Sequence, residues 1–184
     1  TRFGLMGAVI TLIAVLMVLL SGLSSGLVVD GVSGLMRSPV DAVAFSEGTK
    51  TDSAFTRSEV TAAQAQTWAE QDDVADAELL GTSIVNAKND DGTALDLTLF
   101  GVVPDGFVVP EAADGRGLTT PGDAVLSSSA RDEGVEIGDV ITLDRLGTTL
   151  TVVGFTADQR TFGHVDIAFV PLTTWQEVHA GTTA

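Results

Sequence analysis

Between Arg2 and Asp30 the chain carries no charged residue. As a helix, these 27 residues would extend roughly 40 Å at ~1.5 Å per residue, enough to cross a ~30 Å hydrocarbon core. A helix of that length on a soluble domain needs a polar face, and this one has none. A cleaved signal peptide is the rival reading, but its apolar region runs only about 7–15 residues before a small-residue cleavage site. The segment is read as an uncleaved transmembrane helix.

Charge is distributed unevenly about this span. All 25 acidic residues and all but one of the nine Lys and Arg follow it. Arg2 alone precedes it, which by the positive-inside rule favours a cytoplasmic N-terminus and an extracytoplasmic remainder; Arg37, Lys50 and Arg57 pull the other way. So acidic a remainder argues against nucleic acid or an anionic lipid surface as a general partner. The chain has no cysteine, which removes disulfides, zinc–thiolate centres and thiol catalysis.

Past the span, residues 30–37 prolong the helix and Pro39 stops it. Residues 41–46 (DAVAFS) alternate as a strand, and 47–58 read as a polar loop. Thr61 with Gln64 forms a capping box that opens a helix through Glu70, with Val60 and Trp68 expected to face inward. Residues 76–103 read as strands around an Asp91-Gly92 hairpin, and Pro104-Asp105-Gly106 as a turn. Residues 110–121 are a loop. Residues 123–143 read as strand, short helix capped by the Ser127, Ser128 and Ser129 run, a stop at Gly134, a Gly138-Asp139 turn and a strand. A Leu146-Gly147 turn precedes strands at 149–155 and 165–172. Thr173 with Gln176 repeats the capping box and starts a helix carrying Trp175 and Val178, with Gly181 as its stop. The expected fold class is an N-terminal transmembrane α-helix (1–37, with a short stalk) followed by an α+β extracytoplasmic domain (38–184). Both ends of the chain look cut, and the domain is expected to be incomplete at its C-terminal end.

Catalytic constellations are hard to assemble. His164 and His179 sit in no ligand-like spacing, and their positions far along the chain do not place them beside the membrane. No GxSxG elbow accompanies the serine run, for which capping is the simpler role. Asn89-Asp90-Asp91-Gly92 resembles half a calcium loop without its closing Glu, so turn chemistry explains it better. Gly115-Arg116-Gly117 is followed by no GK[ST]. The ten aromatic residues come with no basic patch, against nucleic-acid binding. Residues 134–141 (GVEIGDVI) look like a PDZ turn and strand, but lack a preceding carboxylate-binding loop. The expectation is a non-enzyme with no catalytic residue, no metal site and no intrinsic cofactor. Within the span, Gly22 and Gly26, like Ser21 and Ser25, lie four apart, a spacing that lets two helices pack closely.

Taken together, VLSSSARDEGVEIGDVITL (125–143), TLTVVGF (149–155) and VDIAFVPLTTW (165–175), following an N-terminal span, resemble the FtsX/MacB-type ABC exporter permeases. The ectodomain is thus similar in type to a MacB-like periplasmic core domain. LLSGLSSGLVVDGVSGL (19–35) with DAVAFSEG and AFTRS (within 41–58) is similar to the haem-efflux, Hrt-type branch. The resemblance implies four membrane helices with the ectodomain between the first two, a homodimer of permeases and two ATPase subunits on the cytoplasmic side. It further implies haem or another hydrophobic molecule as cargo, taken from the membrane and expelled. Helices two to four and the ATPase-contacting segments are not in this sequence. If haem is the cargo, Met36, just past the span, is a candidate axial ligand, since haem iron accepts Met. The rival functions are a membrane-anchored binding or sensor module and a PDZ-bearing membrane protease.

Overall fold

The computed structural model describes residues 2–144 and 147–181, with the side chains of 27–30 excepted. One helical run kinked at Val32, α1 (Arg2–Met36), takes up the apolar run, and every residue of its Arg2–Gly26 portion is exposed. That stretch is long and apolar enough to cross a membrane, and the rest of the chain covers none of it. Arg37 N and Ser38 N close the helix on Ser33 O and Leu35 O, ahead of Pro39.

Beyond Pro39 the chain folds into an α+β domain. Three short helical pieces come first, a 3-10 turn (Thr51–Ser53) running into α2 (Ala54–Arg57), then α3 (Ala62–Ala69). Strands β1 (Gly81–Lys88) and β2 (Ala94–Val102) form the expected hairpin; Gly92 takes φ 81° at its turn, and Asn89 Oδ1 accepts from Thr93 N at 2.8 Å. β3 (Asp114–Gly115), β4 (Asp123–Leu126), a 3-10 helix (Ser128–Glu133), β5 (Val140–Leu143), β6 (Thr149–Phe155), β7 (Thr161–Phe162), β8 (Val165–Pro171) and α4 (Leu172–Ala180) complete it. The pairings β2-β1-β5-β6-β4-β8 return to β2, because β8 also lies parallel to β2, so six strands close a ring. The β1–β5 seam of this ring rests on two residue pairs, Ala87 with Leu143 and Lys88 with Thr142. β7 extends from β8, and β3 pairs with β6.

Alternation along these strands sends side chains to two cores. Leu95, Leu97, Leu99, Leu126, Ile141, Leu150, Val152 and Val170 form one, with Trp175 and Val178 of α4 packed against it. Phe100, Val102, Val125, Val153, Ile167 and Phe169 form the other, covered by Phe107, Val108, Leu118, Leu35 and Val40. α4 reaches its core through a slot. Gly81 and Gly101 are direct partners across β1 and β2, and a Cβ on Gly101 would lie 2.4 Å from Trp175 Cβ.

Several sequence expectations are corrected. Residues 41–46 form no strand, because their contacts go to the short helical segment that follows: Ser46 N donates to Ser58 Oγ at 2.8 Å and the Phe45 ring meets Phe55 edge-on. Within 47–58 lie the 3-10 turn and α2 rather than loop alone. The Thr61 capping box is present, but Val60 and Trp68 are exposed and α3 buries nothing. α4 is capped two residues early, at Pro171 rather than Thr173, without a side-chain cap; the neighbouring Thr174 Oγ1 accepts from Gly122 N. Ser127 likewise gives its helix no side-chain cap, while Gly134 and Gly181 do stop their helices in the left-handed conformation. Of the expected Leu146-Gly147 turn, Leu146 lies outside the described residues and Gly147 takes φ 65°.

Candidate functional site

The exposed apolar stretch and the folded domain meet at the last turns of α1. Helical geometry breaks at Val32 (φ −139°, ψ 17°), and the residues around it enter the domain. Glycines make the contact possible. A Cβ on Gly31 would lie 3.0 Å from His164 Cε1, and one on Gly34 would lie 2.0 Å from Ile167 Cδ1. Close approach brings backbone and hydroxyl groups into register. Gly163 N donates to Gly31 O at 2.9 Å, Thr161 N donates to Ser33 Oγ at 2.9 Å, and the Ser33 and Thr161 hydroxyls lie 2.8 Å apart. Ser33 and Thr161 are both buried, so breaking either partner leaves a polar group unsatisfied at a cost of about 1–3 kcal/mol.

The receiving element is the β7–β8 hairpin. Its two turn residues, Gly163 and His164, have φ 65° and 67°, the two-residue pattern in which both central residues are left-handed. His164 is the one non-glycine residue in that region among those described, and such a backbone is uncommon for a side chain of its size. Thr98 Oγ1 donates to Phe162 O at 2.8 Å and ties the hairpin to β2. Phe162 also stands in a row of edge-to-face rings, Phe45 to Phe55 to Phe162 to Phe100 to Phe169, with centroids 4.9–5.7 Å apart. Residues 41–58 are thereby laid against the same hairpin that holds α1.

The loop before the hairpin is fixed from both sides. Arg37 Nη1 lies 3.0 Å from Asp158 Oδ2, and Arg160 Nη1 donates to Arg37 O at 3.3 Å. The serine run supplies the other side. Arg160 N donates to Ser127 Oγ at 2.9 Å, Ser127 and Ser129 hydroxyls are 2.7 Å apart, and Ser129 Oγ reaches both Asp166 oxygens at 2.7 Å. The serines therefore clamp β8 and the 158–160 loop rather than cap a helix. Beside them lies an open, acidic cleft of about 640 Å³, with Asp96, Asp132, Glu133, His164 and Asp166 on its walls. Burial, and then the charges of Asp166 and Asp96, raise the Glu133 carboxyl above its ordinary range. No three His, Asp or Glu side chains among the described residues group as metal ligands.

Of the residues singled out from the sequence, Met36 is 66% exposed at the end of α1. Gly22 and Gly26 are exposed, with open space where a Cβ would stand. The two histidines part company. His179 belongs to the docking of α4, stacked on Trp175 at 4.6 Å, whereas His164 lies against Gly31 at the helix end. His164, which its place in the sequence did not put beside the apolar helix, meets Gly31 because the β7–β8 hairpin folds back onto α1. Ser33, Arg160 and Thr161 were missed altogether. The Gly31 and Gly34 pair and the Gly163-His164 turn dipeptide were the signals that could have found this junction.

Comparison with known proteins agrees with this architecture. The family described as MacB-like periplasmic core domain matches residues 6–183. The extracellular domain of the noncanonic ABC-type transporter YknZ from Gram-positive bacteria is similar in fold, with a TM-score of 0.53 at 16% identity, covering 67% of this chain and 67% of that one. The periplasmic region of MacB from Actinobacillus actinomycetemcomitans gives a TM-score of 0.51 at 15% identity, covering 69% of this chain and 63% of its own. No curated protein matches the chain.

Proposed function

Because the chain belongs to the MacB-like periplasmic core domain family, we propose that it is the first membrane helix and extracytoplasmic domain of an ABC exporter permease. Its N-terminus faces the cytoplasm and its main domain lies outside. Two copies pair in the membrane, with Gly22 and Gly26 on the helix face that packs. ATP is hydrolysed by a separate subunit, bound through cytoplasmic segments beyond this sequence, and the permease itself transports without catalysing a reaction.

One observation carries this reading: α1 leaves the membrane stretch and is fastened, through Gly31, Ser33 and Gly34, to the β7–β8 hairpin. A helix that merely anchored a binding module would need no buried polar contacts with it. A helix fastened in this way carries its own displacement into the domain, which is what a transporter driven from the opposite side of the membrane requires. An anchored sensor module is separated from it by dependence on an ATPase partner.

The cargo we propose is haem or another flat hydrophobic molecule drawn from the outer leaflet beside α1. Supporting this is the resemblance of residues 19–35 and 41–58 to haem-efflux permeases, together with two side chains at the helix end that haem iron accepts, Met36 and His164. Cells carrying the full-length permease and its ATPase should resist haem, and Met36→Ala or His164→Ala should lower resistance and shift the haem absorption band. Resistance and spectrum unchanged in both variants would count against haem ligation at this junction.

A further inference from the structure

Strand β1 runs past its partner. It pairs with β2 along its whole length, but on its other side the ladder to β5 holds only Ala87 and Lys88. Asp144 N still donates to Asn86 O at 2.9 Å, and the chain then turns back into β6. In an antiparallel strand alternate residues turn both backbone groups to the same side, so Thr82 and Ile84 point their N–H and C=O the way Asn86 does. Among the described residues no backbone bond on that side reaches either of them. Free edges are ordinarily guarded by a charge, a proline or a bulge. This one is not. Neither a charged residue nor a proline lies between Glu78 and Lys88, β1 pairs with β2 without a register shift, and Ile84 is 61% exposed.

Charge selects what covers it. Two copies of a chain with net charge −16 repel over most of their surfaces and meet at least cost where charge is absent. The edge is also its own complement. Turned about a twofold axis at Ser83, Thr82 faces Ile84 of the partner subunit, and the two residues can exchange both backbone bonds. Its place in the fold agrees. Ile84 Cδ1 would lie 3.5 Å from a Cβ on Gly163, whose N–H is bonded to Gly31 O. The edge therefore runs beside the junction with α1, where copies paired through that helix come together. Resting on the reading of the chain as a paired permease, we propose that the β1 edges of two copies join antiparallel and carry the sheet across the dimer.

Cysteine pairing tests this in membranes carrying the full-length permease, with any cysteine outside residues 1–184 replaced by Ser. Co-expressed Thr82→Cys and Ile84→Cys chains should form a mixed disulfide on mild oxidation, because directly opposed residues stand about 5.5 Å apart at Cα. Gly117→Cys co-expressed with Ile84→Cys should not. Ile84→Pro removes an N–H that β2 does not use, and should raise the dimer dissociation constant about tenfold, the order of two lost backbone bonds. Equal linkage with Gly117→Cys, or a dissociation constant unmoved by Ile84→Pro, would overturn the proposal. So would cross-links from a photoreactive benzoylphenylalanine in place of Ile84 that reach only lipid or another protein. A missing disulfide in a permease that still sediments as a dimer overturns the edge pairing alone, whereas a monomeric wild type overturns the pairing of copies on which it rests.

Discussion

Placing a methyl group on Gly101 should unseat α4. The added Cβ would stand 2.4 Å from Trp175 Cβ and 2.6 Å from its Cγ. These atoms cannot swing away as a side-chain tip would, because the Cβ position is set by the α4 backbone. Helix α4 must therefore shift outward. Overpacking of this kind costs about 1–3 kcal/mol. The shift also stretches the 3.0 Å bond from Trp175 Nε1 to Ser83 Oγ, adding about 0.5–1.5 kcal/mol. The sum, about 3 kcal/mol, is a large share of a domain stability of about 5–15 kcal/mol. For a chain of this size it lowers Tm by about 6–12 °C. The assay is thermal unfolding of residues 1–184 in detergent, followed by Trp emission in a Trp68→Phe background, since Trp68 is exposed and Trp175 is the other tryptophan of these residues. Gly117→Ala, with open space at its Cβ and no left-handed φ, should change Tm by less than a degree or two. If Gly101→Ala melts like wild type with unchanged emission, Trp175 does not occupy the glycine slot and the reasoning fails.

Asp123→Asn should destabilise the domain by about 2–4 kcal/mol, because the buried carboxylate accepts from the Arg116 guanidinium and from Thr119 N and Thr120 N. Arg116 foremost holds that carboxyl far below the ordinary carboxylate range. Its contribution is therefore complete above the unfolded Asp value of about 4 and fades as pH falls toward the folded one; urea titrations across pH 2–6 should show wild type losing more stability than Asp123→Asn. In the membrane, Gly22→Leu with Gly26→Leu should weaken dimerisation in a helix-association reporter by filling the open space at both positions. An unchanged signal would return those glycines to ordinary composition.

Local chemistry was legible in the sequence wherever it sufficed to determine structure. The uncharged run, the Asp91-Gly92 hairpin, the Thr61 capping box and the glycine stops at Gly134 and Gly181 each depend on a few neighbouring residues, and each appears as expected. What failed depended on distant partners. DAVAFS alternates like a strand but packs on Phe55 and Ser58 instead, and the serine run looks like a cap but finds Asp166 and Arg160, more than thirty residues away. The junction was hidden for the same reason. Gly31 and Ser33 read as stalk until the hairpin 128 residues later is folded onto them, and the depth of His164 follows from that one long-range pairing.

The central claim is that α1 and the domain move as one body. Residues 1–184 hold no cysteine, so once any cysteine elsewhere in the permease is replaced by Ser, spin labels at Leu23→Cys and Thr173→Cys, both exposed, report the distance between α1 and the domain within one protomer. Labelled protomers diluted with unlabelled ones, in the full-length permease with its ATPase, keep the signal intramolecular. The account predicts one narrow distance distribution, the same with and without ATP, that broadens when Ser33→Ala and Thr161→Val remove the buried clasp. A broad or ATP-dependent distribution in the protein with the clasp intact would contradict it.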